Sequence, residues 1–297
     1  MRVTFDIVRD GLSSIQTAAT SLSEAQLQVA SGKRLRVPSD DPLGTRLAVG
    51  EHTSIGAIDS YTRSVDSAAS RLAAADGTLT DIIDKLTSAI AATTGARGTT
   101  SDPASRLAAA ATLGGLRDAL ARDINTRFDG TALFGGTRVD QTPYVQDPVT
   151  GVWTYQGDNA QVQVEVEQGH RVAIATDGSS IFQGSDPDNV LNVLEGLITA
   201  VTTNNQAAMA TGIADLQRTF DRATQAQSRV GADEVGIADA ASRLSGLKLA
   251  AETRRSKVED ANMAEAIARM NRADTAYRAA LSAVSQAERQ SLLDYLR

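Results

Sequence analysis

The sequence predicts a mainly α-helical chain with a small β domain: a long coiled-coil-like helical stem formed by both termini, and an antiparallel β-rich insertion in the middle. Three observations predict it. Val8, Leu12, Ile15, Ala19, Leu22, Gln26 and Val29 follow alternating steps of four and three residues near the start of the chain. Met263, Ile267, Met270, Asp274, Tyr277, Leu281 and Val284 repeat that spacing near its end. Each set falls on one narrow helical stripe, the seam a coiled coil buries. Between them, six of the eleven aromatic residues (Phe128, Phe134, Tyr144, Trp153, Tyr155 and Phe182) cluster in a segment rich in β-branched residues and turns.

The elements follow in order. A first helix is expected from about Phe5 to Leu35, interrupted by Val37-Pro38-Ser39. A long helix starts at Pro42 and continues toward Thr93 despite Gly50, Gly56 and Gly77, and a third spans Pro103 to about Arg127, ending at Asp129-Gly130. The period then changes to two: Val162, Val164 and Val166 alternate with polar residues, as do Val172 and Ile174, with turns at Gln168-Gly169 and Asp177-Gly178. A short helix from Pro187 to about Thr203 leads out, and from Gln206 the chain reads as helix with breaks possible at Gly231, Gly236 and Gly246. Asp41-Pro42, Asp102-Pro103 and Asp186-Pro187 each place a capping carboxylate before a proline at the first helical position, where a missing N–H costs nothing. Capping also explains the neighbouring pair Asp40 and Asp41 better than an acid–base dyad does. This organisation gives a terminal helical coiled-coil domain (1–40 plus 256–297), a helical stem domain (41–130 plus 187–255) and an outward β domain (131–186).

Composition narrows the function classes. The net charge is −7, and the stretch from Asp129 to Glu195 holds ten acidic residues against only Arg138 and Arg171. An acidic middle between near-neutral helical ends concentrates no basic face, which argues against nucleic acid; the middle is expected to face water and the ends to face protein. No run of apolar residues is long enough for a membrane span, and no apolar signal-peptide core is visible near the start. The chain has no cysteine, so disulfides, thiolate catalysis and Cys-ligated metals are ruled out.

Catalytic patterns are missing. His52 and His170 each lack a partner at ligand spacing, so no metal site is expected. Ser31-Gly32-Lys33-Arg34 lacks the earlier glycine and the following Ser/Thr of a phosphate loop, and it follows a helix. The acidic residues of the β segment fit solvation better than a glycosidase pair. Neither an enzyme nor a cofactor is expected.

Ala30-Ser31-Gly32-Lys33-Arg34-Leu35, followed by Val37-Pro38-Ser39-Asp40-Asp41-Pro42, resembles the N-terminal signature of the flagellin superfamily. The form S-G-K-R…P-S-D-D-P is closer to its hook-associated protein 3 family (FlgL) than to flagellin. Phe134-Gly135-Gly136-Thr137, Pro143-Tyr144, Tyr155-Gln156-Gly157-Asp158 and Ile181-Phe182 resemble that family's β domain. So do Val258 to Ala266, Tyr277-Arg278-Ala279-Ala280-Leu281 and Ser291 to Leu296 at the close of the chain. Asn262 departs from the family, where an Asp is common, and puts any charge pairing there in doubt.

The resemblance implies a structural protein of the bacterial flagellum at the hook–filament junction, extracellular and exported by the type III apparatus without a cleaved signal. Its implied partners are further copies of itself in a ring or helical assembly, the first hook-associated protein FlgK, flagellin and an export chaperone. Flagellin, the bulk filament subunit, is the alternative. The expected assembly interface comprises Val8, Leu12, Ile15, Leu22, Val29, Met263, Ile267, Met270, Tyr277, Leu281 and Val284, with Leu292, Leu293 and Leu296 beyond them. An exposed apolar seam at both ends needs partners, and head-to-tail contact of that kind builds rings or open helices.

Overall fold

A computed structural model describes residues 2–98, 102–167, 169–174 and 177–295, with side chains described from Arg9 to Gln286. Seven helices and six short strands follow in the order α1 (Arg2–Ser31), α2 (Pro42–Ala96), α3 (Pro103–Ile124), β1 (Arg127–Phe128), β2 (Thr131–Ala132), β3 (Tyr144–Gln146), β4 (Trp153–Tyr155), β5 (Gln163–Glu167), β6 (His170–Ala173), α4 (Gly178–Phe182), α5 (Val190–Thr202), α6 (Gln206–Glu259) and α7 (Met263–Tyr295). The chain is mainly helical with a small antiparallel β region, the class its periodicities predict. It divides into a terminal unit, Met1–Ile58 with Gly246–Arg297, and a central unit, Asp59–Ser245. Among the described residues no helix is long and apolar enough to cross a membrane.

The central unit is organised around a stripe on α2. Val65, Ala68, Leu72, Ala75, Leu79, Ile82, Leu86, Ala89, Thr93 and Ala96 recur at steps of three and four, and all are buried. On α6, Leu216, Thr219, Ala223, Ala226 and Val230 are buried at the same steps, and Gln227 Nε2 donates to Thr80 Oγ1 (2.8 Å). These series explain why the expected breaks at Gly231, Gly236 and Gly246 do not occur and α6 is continuous. A glycine costs a helix about 1 kcal/mol, whereas burying one Leu or Val side chain gains about 1.5–3 kcal/mol. Helices α3 and α5 pack together through Leu113, Leu120 and Ile124 against Leu191, Leu194 and Leu197 as the buried sides, and Arg117 pairs with Glu195.

The β region consists of three separate two-stranded antiparallel ribbons, β1–β2, β3–β4 and β5–β6. Its core is aromatic: Phe134 meets Phe182 edge-on with ring centroids 5.4 Å apart, and Tyr144 lies 5.1 Å from Tyr155. Arg71 of α2 ties these ribbons down. Only 7% exposed, it donates to Ala132 O (2.6 Å), Thr131 Oγ1 (2.6 Å) and Ile174 O (3.0 Å), and burial lowers its pKa.

Two turn and cap expectations are corrected here. Asp186-Pro187 does not open the fifth helix; the Asn189 side chain does, accepting from the N–H groups of Leu191 and Asn192 (3.1 Å each). Asp186 is drawn instead to Arg222 and Arg218 of α6, at 2.9 Å from each, a pairing that outweighs its partial burial and holds its carboxyl below the usual range. Asp177-Gly178 is not a simple turn, because Asp177 caps the short helix α4 through the N–H groups of Ser179 and Ser180.

Candidate assembly interface

In the terminal unit two chain connections, one leaving α1 and one entering α7, are stitched side by side. Helix α1 ends where Gly32 turns left-handed (φ 68°), a conformation that glycine adopts without steric cost. The Gly32 carbonyl accepts from the N–H of Ala261 (2.8 Å), and the N–H groups of Arg34 and Leu35 donate to the Glu259 carbonyl (2.7 and 3.3 Å). Between them Lys33 and Asp260 form an antiparallel bridge. Arg34 Nη2 reaches across to the Val258 carbonyl (2.7 Å) and also faces Asp41 Oδ2 (3.3 Å).

Glu259 is the electrostatic hub of this clasp. Its side chain is 12% exposed, hydrogen-bonded by Lys33 Nζ, with His52 Nε2 at 3.3 Å and Arg255 Nε at 3.7 Å. The Lys33 hydrogen bond outweighs desolvation and holds the Glu259 pKa below the usual glutamate value. Asp40 and Asp41 serve the backbone. Asp40 Oδ2 accepts from the N–H groups of Val37 and Arg36 (3.0 Å each), and Asp41 Oδ1 accepts from Gly44 N–H at the start of α2 (2.9 Å). These N–H donors lower both pKa values, leaving two ionised caps and no proton poised for acid–base work. At the other connection Asn262 Oδ1 accepts from the N–H groups of Ala264 (3.1 Å) and Glu265 (3.4 Å), so a neutral amide caps α7.

Beyond the clasp, α1 and α7 run antiparallel. Lys33 lies opposite Asp260 at one end, and a Cβ placed on Gly11 would stand 2.8 Å from Val284 Cγ2 at the other. The less exposed positions are Gly11, Ile15, Ala18, Ala19, Leu22, Ala25, Gln28 and Val29 on α1, and Ala266, Met270, Ala273, Asp274, Tyr277, Ala280 and Val284 on α7. Along these stripes large residues (Ile15, Leu22 and Val29; Met270, Tyr277 and Val284) alternate with small ones (Gly11, Ala18 and Ala25; Ala266, Ala273 and Ala280). Small residues such as Gly11 against Val284 allow the helix axes to approach closely without overpacking.

This arrangement sorts the expected interface residues. Ile15, Leu22, Val29, Met270, Tyr277 and Val284 lie in the α1–α7 seam and are partly covered within the subunit. Leu12 (58%), Met263 (41%), Ile267 (43%) and Leu281 (42%) stand exposed beside it. Of the others read into the repeat by spacing, Ala19 and Asp274 are half-covered and Gln26 is exposed. The side chains of Val8, Leu292 and Leu293, and the whole of Leu296, lie outside the described residues. Spacing alone picked the larger Leu12 and Gln26 on α1 and Ile267 and Leu281 on α7, whereas the less exposed neighbours are Gly11, Ala25, Ala266 and Ala280.

Eleven of the sixteen exposed large apolar side chains among the described residues belong to the terminal unit, which holds the smaller share of the chain. Besides the four just named they include Leu27, Val37, Leu43, Leu47, Val49, Leu247 and Leu249. Val37 and Val49 border a cleft of about 240 Å³ floored by Leu35, Pro38 and Ala48 beside His52 and Glu259. Sequence reasoning did not single out Glu259 or Arg71; a charge whose partner lies far along the chain leaves no local pattern. Among the described residues no group of three or more His, Asp or Glu could hold a metal ion.

Comparison with known proteins places these features. Residues 10–138 match the model of the bacterial flagellin N-terminal helical region, and residues 213–296 match that of the bacterial flagellin C-terminal helical region. Among solved structures, a Vibrio parahaemolyticus protein described as a flagellar hook-associated protein superposes with a TM-score of 0.70 at 19% identity, covering 74% of this chain and 100% of its own. FlgL of Xanthomonas campestris gives 0.63 at 17% identity, with 69% of this chain and 99% of that one covered. Flagellar hook-associated protein 3 of Legionella pneumophila gives 0.63 at 13% identity, covering 70% and 98%. At such identities the likeness is one of fold. A search of curated protein sequences found none that matches the chain.

Proposed function

Because the chain belongs to the flagellin superfamily, with both helical-region models matched over most of its length, and carries the fold of FlgL structures, we propose that it is a structural protein joining the flagellar hook to the flagellin filament. In this role it contacts FlgK on one side and flagellin on the other, leaves the cell through the type III export apparatus with a chaperone, and works outside the cell without catalysing a reaction. The terminal helical domain (1–40 with 256–297) is assigned to assembly, the stem (41–130 with 187–255) to support, and residues 131–186 to the outward domain.

The observation that carries this reading is the concentration of uncovered apolar side chains on the terminal unit. A lone soluble subunit gains nothing from leaving Leu12, Ile267 and Leu281 in water, and an assembling one buries them. The expected interface keeps its role with a division of labour. Ile15, Leu22, Val29, Met270, Tyr277 and Val284 form the helical pair, and Leu12, Met263, Ile267 and Leu281 present it to neighbours.

Deleting the gene and viewing the cells by electron microscopy tests the proposal. Hooks should form while filaments are lost and flagellin is shed into the medium. Filaments of normal length on the deletion strain would overturn it. Quantifying the chain in isolated flagella separates the bulk-filament role, since a junction protein is present in few copies and flagellin in thousands.

A further inference from the structure

Five of the exposed large apolar side chains lie in the central unit, and three of them occupy one hairpin: Val145 (44%), Val149 (90%) and Val152 (46%). This is β3–β4, in which Gln146 faces Trp153 across the ladder. Its turn is stiff. Asp147 Oδ1 accepts from the N–H groups of Val149 (2.8 Å) and Thr150 (3.2 Å). The Asp147 N–H donates to Val152 O (3.0 Å), and the N–H of Gly151 donates to Asp147 O (2.9 Å). Gln146 Nε2 adds a bond to the Gly151 carbonyl (3.0 Å). A turn held at so many points presents Val149 to solvent in one conformation, so little entropy is lost when a partner covers it.

At the foot of the same hairpin is a cleft of about 470 Å³ lined by Asp118, Ala121, Arg122, Asn125, Gln146 and Trp153. Two of its groups have unmet needs. Trp153 Nε1 is buried and has no hydrogen-bond partner, which leaves the indole ring as the apolar wall of the cleft. The Arg122 guanidinium makes no ion pair among the described residues, whereas Asp118 is already held by Arg117 (2.7 Å). The Asn125 amide is spent on the backbone of Tyr144, donating to its carbonyl and accepting from its N–H (2.9 and 2.8 Å).

We propose that this cleft receives the Val149 turn of a second copy of the chain. The inference rests on the reading of the chain as an assembling subunit and adds a contact outside the terminal helices. The occupant follows from chemistry. The turn offers an apolar knob beside the carboxylate of Asp147; the cleft offers the indole of Trp153 and the cation of Arg122. Repeated from subunit to subunit the contact is heterologous and builds a ring or open helix, and a reciprocal pair of such contacts closes a two-fold dimer.

The chain has no cysteine, which makes the test clean. Thr150→Cys near the knob and Asp118→Cys on the cleft rim are introduced singly and together into the full chain. Flagella isolated from cells expressing each variant, and the purified chain concentrated in solution, are oxidised mildly and resolved without reductant. With the double variant the 31.1 kDa monomer should shift to a ladder of disulfide-linked multiples, and each single variant should stay monomeric. Adding Val149→Asp to the double variant should abolish the ladder. Monomer alone in filament-bearing flagella and in the concentrated chain overturns the contact, as does a ladder that survives Val149→Asp. A ladder in a strain whose gene proves unnecessary for filaments would leave the contact standing and remove the junction role.

Discussion

Replacing Gly11 by Ala should destabilise the α1–α7 pair, although the same change in a free helix would strengthen it. Glycine to alanine inside a helix gains about 1 kcal/mol. Here the new Cβ would stand 2.8 Å from Val284 Cγ2, and valine in a helix is nearly confined to one χ1 rotamer, so the methyl cannot swing aside. Relieving such an overlap by moving helices costs about 1–3 kcal/mol. The net effect should therefore be a loss of up to about 2 kcal/mol after the roughly 1 kcal/mol propensity gain is set against it. In a Val284→Ala background the obstacle is gone, and Gly11→Ala should stabilise by about 1 kcal/mol. The assay is native-state amide exchange at Leu22 and Ala25, which reports the free energy of opening α1, measured for all four members of the cycle. Equal effects of Gly11→Ala in the two backgrounds, within about 0.5 kcal/mol, would refute the close packing of Gly11 against Val284.

Glu259 gives a pH test. Its pKa is lowered in the folded chain, so its stabilisation is complete above the ordinary glutamate value of about 4.3 and is lost as pH falls through the lower folded value. Exchange protection of the Arg34 N–H should weaken over that acid range, and Glu259→Gln should flatten the dependence; an unchanged profile in the variant would refute the hub. Leu281→Asp should leave the free chain soluble and folded, because Leu281 is already 42% exposed, yet abolish filament attachment by forcing a carboxylate into an apolar contact; normal swimming would sink the assembly role of that residue. Arg71→Leu should destabilise the central unit by several kcal/mol, since it strands two carbonyls and a hydroxyl, and urea unfolding followed by Trp153 fluorescence would reveal it.

The helical plan and the β region were readable because each leaves a periodic trace: steps of three and four for α1, α2 and α7, and alternation for β5 and β6. Capping chemistry was readable at Asp41 and Asp102, where the side chain accepts from Gly44 and Ser105 N–H groups. It misled at Asp186, because a carboxylate goes to the stronger donor and two arginines lie within reach. The terminal seam was half legible. Ile15, Leu22, Met270 and Tyr277 announce themselves by size, whereas Ala18 and Ala273 carry no signal until the opposite helix is known. Long-range partners such as Lys33 with Glu259 and Arg71 with Ala132 were invisible for the same reason.

The close pairing of α1 with α7 has a consequence for how such a chain can change over time. Gly11 has room for no side chain because Val284 stands against it, so one end is written as the complement of the other. A substitution near the start is tolerated or rejected according to a residue some 270 positions later. The two ends must therefore be inherited and exchanged together, and a chimera that takes only one of them from a relative will misfit where the helices meet. The segment between them is released from that particular constraint, since its own partners lie within it.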